Sequence, residues 1–334
     1  MIEIKKFTFY QFISFIFITI LLIFLNLKYD TYGVFSDKII PYPIFDTINL
    51  RINKFNYLEK NYNKYDSYLI GGSRALVFKE SDLNRYTKNN FYNYAGIRSD
   101  MYDTLITIRY LLERQKVKMI IVQIGIDDLY LYSENNENLL QRSHYKLIQE
   151  NKYTYYFKYT FSFDLIKTIT NYMSLKYMDM KNIKISSDEF YLYTKYEELI
   201  KEDPSTFFNG QFSKNLYIKL PDYKKNKIKQ NIDALKEIKK LTDQSNTNLI
   251  VITAPLNHFI YHKIKKEDLE LYLSQIKEIT PFWNFTTINS ITADNTNYYD
   301  YSHFRIKVGQ LMLAKIFKDE TIIVPEDFGI YTEK

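Results

Sequence analysis

The sequence predicts an α/β protein: a three-layer, flavodoxin-like parallel sheet with a large, mostly helical insertion, preceded by one transmembrane helix. Three observations carry that expectation. Short apolar runs alternate with amphipathic stretches from residue 65 onward. The runs are apolar on both faces, as strands covered on both sides must be. Residues 7–26, FTFYQFISFIFITILLIFLN, carry no charge.

The charge-free segment comes first. About 20 residues of helix cross a hydrocarbon core of about 30 Å. Lys5 and Lys6 precede it, so the positive-inside tendency keeps the N-terminus cytoplasmic and sends the remainder outside. Asn26-Leu27-Lys28-Tyr29-Asp30 follows. No Ala-x-Ala-like site is present, so the segment reads as an uncleaved single-pass anchor in the cell membrane rather than a signal peptide. The organisation expected is a cytoplasmic tip at 1–6, an anchor at 7–27, a lead-in at 28–64, an α/β domain at 65–320 and a tail at 321–334.

Strands are expected at 67–71, 91–95, 118–125 and 248–254, with a weaker one at 286–289. Helices are expected at 101–116, where Leu105, Ile108, Leu111 and Leu112 recur at helical spacing, and at 225–242, 266–279 and 304–317. Residues 131–222, rich in Tyr, Phe, Asn and Lys, interrupt this rhythm as the insertion, either a lid or a structural cap. Trp283 precedes the weak strand and reads as core.

Composition narrows the chemistry. The chain has 334 residues, a formal net charge of +6 and no cysteine. Thiolate metal sites, disulfides and cysteine nucleophiles are thereby excluded. The basic runs Lys224-Lys225-Asn226-Lys227 and Lys263-Ile264-Lys265-Lys266 flank amphipathic stretches and read as solvated helix faces, not a nucleic-acid surface. His258 and His262 stand four apart, but no carboxylate pattern completes a metal site. No metal or cofactor is expected.

Polar residues collect after the strands, where parallel sheets bind ligands. SYLIGGSRALVF, residues 67–78, ends its apolar run in Gly71-Gly72-Ser73-Arg74. Gly96-Ile97-Arg98 follows the second strand and Gly125-Ile126-Asp127-Asp128 the third. The fourth leads into Asn257-His258, and Asp300-Tyr301-Ser302-His303 precedes the last helix. A hydroxyl is a weak nucleophile unless a base lies within hydrogen-bond reach. His303 can take the Ser73 proton and Asp300 can orient the ring. Ser73 is expected to open the first helix, where amide dipoles favour negative charge. Gly71 and Gly72 would allow a tight turn and a close approach of backbone to substrate.

With these blocks the chain resembles the SGNH hydrolase superfamily, or GDSL-like esterases. More narrowly it resembles the membrane-anchored branch that includes DltD-like and alginate-acetylation proteins. The resemblance spans about residues 65–318. It implies Ser73 as nucleophile, His303 as base and Asp300 as its orienter. It also implies an oxyanion hole from the backbone N–H groups of Ser73 and Gly96 and the third-block side chain. At that third position the family has asparagine, and this chain has Asp127. An ionised carboxylate cannot donate a hydrogen bond. Either Asp127 is turned away or protonated, or Arg74 or Arg98 supplies a positive partner, or the site is slow or dead. His258 can line the substrate cleft. The function implied is an extracytoplasmic esterase or O-acyltransferase acting on an acylated, O-acetylated cell-surface polysaccharide. A membrane-bound acyltransferase is the implied partner. The alternative is a degenerate accessory or glycan-binding protein on the same fold.

Overall fold

The computed structural model describes residues 2–30, 32, 34–35, 49–125, 129–134, 138–139, 141–162, 191–212 and 227–334. It divides into two compact units. The first comprises Met1–Lys60 and Asn136–Ile185, the second Asn61–Asn135 and Ser186–Lys334.

The first unit begins with α1 (Ile2–Tyr29). Within it, Lys6–Lys28 is long and apolar enough to span a membrane. The helix therefore continues past residue 27, and the expected lead-in contains a second helix, α2 (Leu50–Asn61). The third described helix of this unit, α3 (Lys152–Thr160), starts where the Asn151 side chain accepts the N–H groups of Tyr153 and Thr154. Its Tyr155 and Tyr159 pack with Tyr32, Val34 and Ile52 in a buried aromatic core. Asn49 stitches the unit together by donating to the carbonyls of Leu139 and Arg142, both at 2.7 Å.

His144 belongs to this packing. Its ring stacks on Phe55 at 4.2 Å, and Nδ1 accepts the N–H of Lys146 at 3.3 Å. Burial, and then the Lys146 charge, push its pKa from 6.5 to about 3. An unfolded histidine binds a proton between those values and the folded one does not. Stability is therefore full above about pH 6.5 and is lost as pH falls toward 3. The expected result is a destabilisation of up to about 1.4 kcal/mol per pH unit in that window. Thermal unfolding of the full chain in detergent, compared between wild type and His144→Phe from pH 7.5 to 4.5, measures it. The variant should show the shallower slope.

The second unit is built on a mixed sheet of six mostly parallel strands: β1 (Ser67–Gly71), β2 (Phe91–Asn93), β3 (Met119–Ile124), β4 (Asn248–Thr253), β5 (Phe282–Asn284) and β6 (Ile330–Thr332). The order is β2-β1-β3-β4-β5-β6. Only β6 runs antiparallel, on β5. Leu69, Ile70, Ile120, Ile121 and Val122 are almost wholly buried, so the two central strands are covered on both faces. Ser67 pairs with Met119 and Gly71 with Gln123. The connecting helices are α4 (Glu80–Thr87), α5 (Met101–Arg114), α6 (Tyr191–Glu202), α7 (Pro204–Phe212), α8 (Ile228–Gln244), α9 (His258–Tyr261), α10 (Lys266–Ile279) and α11 (Ile306–Phe317). Asp100 caps α5 through a reciprocal capping box with Asp103. In the packing, α5 lies on α8, α8 on α10, and α4 on α11.

Three expectations need correction. The weak fifth strand lies at Phe282–Asn284 rather than 286–289, so Trp283 is within it. The tail at 321–334 supplies the edge strand β6. The segment 131–222 is shared between the units: its middle, Asn136–Ile185, belongs to the first and its two ends to the second. The reason is packing, since α3 buries tyrosines in the first unit's core while α6 serves the loop described next.

Candidate functional site

Ser73 stands two residues beyond β1, a central strand of the sheet. It opens a five-residue 3-10 segment, Ser73–Val77, in place of the expected α-helix. The two preceding glycines differ in purpose. Gly72 has ordinary extended dihedrals (φ −78, ψ −168). Gly71 lies where an added Cβ would meet the Gln123 carbonyl oxygen at 2.9 Å and the Gln123 Cβ at 3.0 Å. Close packing against β3, not an unusual turn, is what requires glycine at 71.

The second part of the site is a short loop before α11. Tyr298 and Phe304 form an antiparallel bridge, and the Tyr299 N–H donates to the His303 carbonyl at 2.8 Å. Tyr298, Tyr299 and Phe304 are buried, so the base of the loop is fixed, and within it Tyr301 is buried too, its hydroxyl donating to the Phe212 carbonyl at 2.9 Å. Asp300 Oδ1 accepts the backbone N–H groups of Ser302 at 2.6 Å and His303 at 2.8 Å. His303 Nδ1 lies 2.9 Å from Asp300 Oδ2. His303 Nε2 lies 2.9 Å from Ser73 Oγ. Partial burial by itself would raise the Asp300 pKa. The His303 hydrogen bond and charge, with the two backbone donors, outweigh it and hold the carboxyl below its usual value. Serine, imidazole and carboxylate thus form one hydrogen-bonded series across 230 residues of chain. The serine side chain is half-buried and the imidazole 27 % exposed.

The other expected site residues are placed as follows. Arg74 is buried and braces the loop, donating from Nε to the Ser302 carbonyl and from Nη2 to Ser302 Oγ, both at 2.8 Å. The Gly96 N–H donates to the Gly71 carbonyl at 3.0 Å, which commits it to the backbone in this arrangement. Arg98 is exposed on the turn after β2, in a left-handed conformation at φ +52. His258 is half-buried at the start of α9, its N–H on the Thr292 carbonyl. Asp127 lies outside the described residues. Among the described residues, no group of three His, Asp or Glu side chains could hold a metal ion.

One cluster was not legible beforehand. Glu197 on α6 accepts from Arg305 Nε at 3.0 Å and from Arg305 Nη2. It also accepts the Tyr299 hydroxyl at 2.7 Å. One carboxylate therefore ties both flanks of the Asp300–His303 loop to α6. Burial would raise the Glu197 pKa, but these partners lower it. On the same helix, burial and then the Asp300 charge raise the Tyr196 phenol, placing a second α6 side chain beside the loop. No spacing signal could have paired Glu197 with a residue 108 positions away. Glu197→Ala should cost about 1–3 kcal/mol, because it removes the carboxylate to which the Arg305 guanidinium and the Tyr299 phenol both donate. Denaturant unfolding checks it.

No protein-family profile matches the chain, and no curated protein matches it significantly.

Proposed function

We propose that this chain is a membrane-anchored, extracytoplasmic serine esterase or O-acyltransferase of the SGNH hydrolase type. Its substrate is an acylated, O-acetylated cell-surface polysaccharide. The observation that carries the reading is the Ser73–His303–Asp300 series, with both hydrogen-bond distances at 2.9 Å. The strand order β2-β1-β3-β4-β5 is that of flavodoxin-like sheets. With α5, α8 and α10 forming one helix group and α4 and α11 another, it supports a three-layer arrangement. Ser73 then lies at the switch point between β1 and β3, where such sheets bind ligands.

In the mechanism, Ser73 Oγ attacks the ester carbonyl while its proton passes to His303 Nε2. Asp300 fixes the ring through Nδ1 and stabilises the imidazolium. The C–O bond of the ester breaks and His303 protonates the departing alcohol oxygen. Water or a sugar hydroxyl then attacks the acyl-Ser73, giving its proton to His303, which passes it to Ser73 Oγ as the acyl–serine bond breaks. Water releases the acid, and a sugar hydroxyl receives the acyl group. The same intermediate serves hydrolysis and transfer.

The α1 segment, with Lys5 and Lys6 before it, supports a single-pass anchor with a cytoplasmic N-terminus. Tethering raises the local concentration of membrane-linked donors and of a membrane-bound acyltransferase partner. A second reading, a catalytically degenerate accessory protein, draws on the engaged Gly96 N–H and the carboxylate at Asp127, since a missing oxyanion donor costs about 10²–10³ in rate.

The test is full-length protein in detergent with an aryl acetate and a fluorophosphonate probe. Turnover and labelling that both depend on Ser73 support the enzyme. Neither, in protein that unfolds cooperatively, favours the accessory. In an active enzyme, Glu197→Ala should lower kcat by up to about 10², because small misplacements of a base are costly, and leave KM little changed.

A further inference from the structure

The face of α3 turned away from the first unit's core is aromatic. Tyr153, Phe157 and Phe161, the last of them capping the helix end, recur every four residues, so they fall on one side. They are 83 %, 60 % and 38 % exposed, and the Phe157 and Phe161 rings lie 4.3 Å apart. Tyr155 and Tyr159, on the opposite side, are wholly buried. A helix that fills its inner face with tyrosine normally presents polar residues outward. Contiguous exposed rings mark a surface that something covers.

The position of α3 says what covers it. The Asn26 side chain, in the last turns of α1, donates to the Thr160 carbonyl at 2.7 Å and to the Ser162 carbonyl at 3.4 Å. Tyr32 Oη and Ser162 Oγ lie 3.2 Å apart. Phe161 is thus held between two carbonyls bonded to α1. Asn26 is two residues, about 3 Å of helical rise, before Lys28, where the apolar span ends. The nine residues of α3 extend about 13 Å, so Phe161 lies beside the level at which α1 leaves its apolar stretch and the other two rings lie within about that length of it. Phe24 and Leu27 of α1 are exposed as well, so apolar side chains stand in solvent-facing positions on both helices. Lys28 and Lys152 supply cations at the ends of these helices.

We infer that α3 is an interfacial helix whose Tyr153, Phe157 and Phe161 rings sit in the headgroup–acyl boundary of the bilayer, beside the exit of α1. Amphipathic aromatic rings favour that zone, and apolar faces of interfacial helices penetrate it by about 5–10 Å. The first unit is then a collar fixed to the membrane surface rather than a free stalk. The inference rests on the proposal that α1 spans the bilayer.

The absence of cysteine makes the test direct. Tyr153→Cys, Phe157→Cys, Phe15→Cys within α1 and Lys236→Cys on α8 each receive one environment-sensitive fluorophore. The full chain is reconstituted in phosphatidylcholine–phosphatidylglycerol vesicles, with or without lipid brominated near the headgroup or deep in the chain. Labels at 153 and 157 should be quenched at least about twofold by shallow bromines, more than by deep ones, as interfacial depth requires. The label at 236 should not be quenched. Aqueous behaviour at 153 and 157 with a lipid-buried label at 15 overturns the inference and leaves the anchor standing. An aqueous label at 15 overturns both. A label at 153 shielded without lipid quenching, and more so at higher protein density, means a second copy covers the face, and this too overturns the inference.

Discussion

Ser73→Ala is expected to abolish aryl-ester turnover and fluorophosphonate labelling while leaving the fold intact. The Oγ pairs with His303 Nε2 at 2.9 Å, and the residue opens a 3-10 segment that alanine also accommodates. The loss should be at least about 10³-fold, the scale on which removing one member of a serine triad acts. His303→Ala should do the same, and the double variant should be no worse than either, because residues acting as a unit are not additive. Asp300→Asn should cost about 10⁴ with geometry preserved, since an amide at Nδ1 selects the wrong tautomer. The Asp300 carboxyl is held below its usual value. Its contribution is therefore complete above the unfolded value of 3.8 and is lost only as pH falls through the lower folded value. A pH–rate profile falling well above pH 4 must then report another group. Retention of turnover in Ser73→Ala would assign any activity elsewhere.

Gly71→Ala is the second large effect expected, on stability and on the site together. A Cβ there would stand 2.9 Å from the Gln123 carbonyl oxygen, 3.0 Å from the Gln123 Cβ and 3.2 Å from the Ala75 Cβ. The first neighbour is backbone of the paired strand, with Gly71 in register opposite Gln123. A surface side chain could swing aside; a central ladder cannot without opening. Overpacking of this kind costs about 1–3 kcal/mol. Any relief by moving β1 would shift Ser73, two residues on, away from His303. Reduced denaturant midpoint and reduced turnover should appear together. Gly72→Ala, with ordinary dihedrals and one contact at 3.2 Å to the Ser99 carbonyl, should be much milder. Equal effects at the two positions would refute this account of the glycine pair.

The parts of the fold readable beforehand are those set by local periodicity. The runs at β1, β3 and β4 are largely apolar, with β1, most of β3 and the second half of β4 buried, and that composition is visible in sequence. Helix α10 falls at 266–279 as expected, since its buried Leu269, Tyr272, Ile276 and Ile279 keep helical spacing. The strand β6 was not readable. Its Ile330 and Tyr331 are about half exposed, and three edge residues carry too little pattern to separate from a tail. The β-branched stretch at 286–289 looked like a strand, yet Asn289 and Thr292 use their side chains to cap local turns there.

The sequence alone determined that an uncharged anchor-length segment precedes an α/β domain, and that a serine, a histidine and an aspartate stand after strands. Those are properties of composition and short-range spacing. Only the tertiary structure decided that they meet. The pairing of β1 with β3 and the seating of α11 bring Ser73 and His303 to 2.9 Å. Arg74 and Glu197 then fix the loop through partners more than a hundred residues distant. Such contacts are set by how strands order and helices pack, and no local pattern in the chain records them.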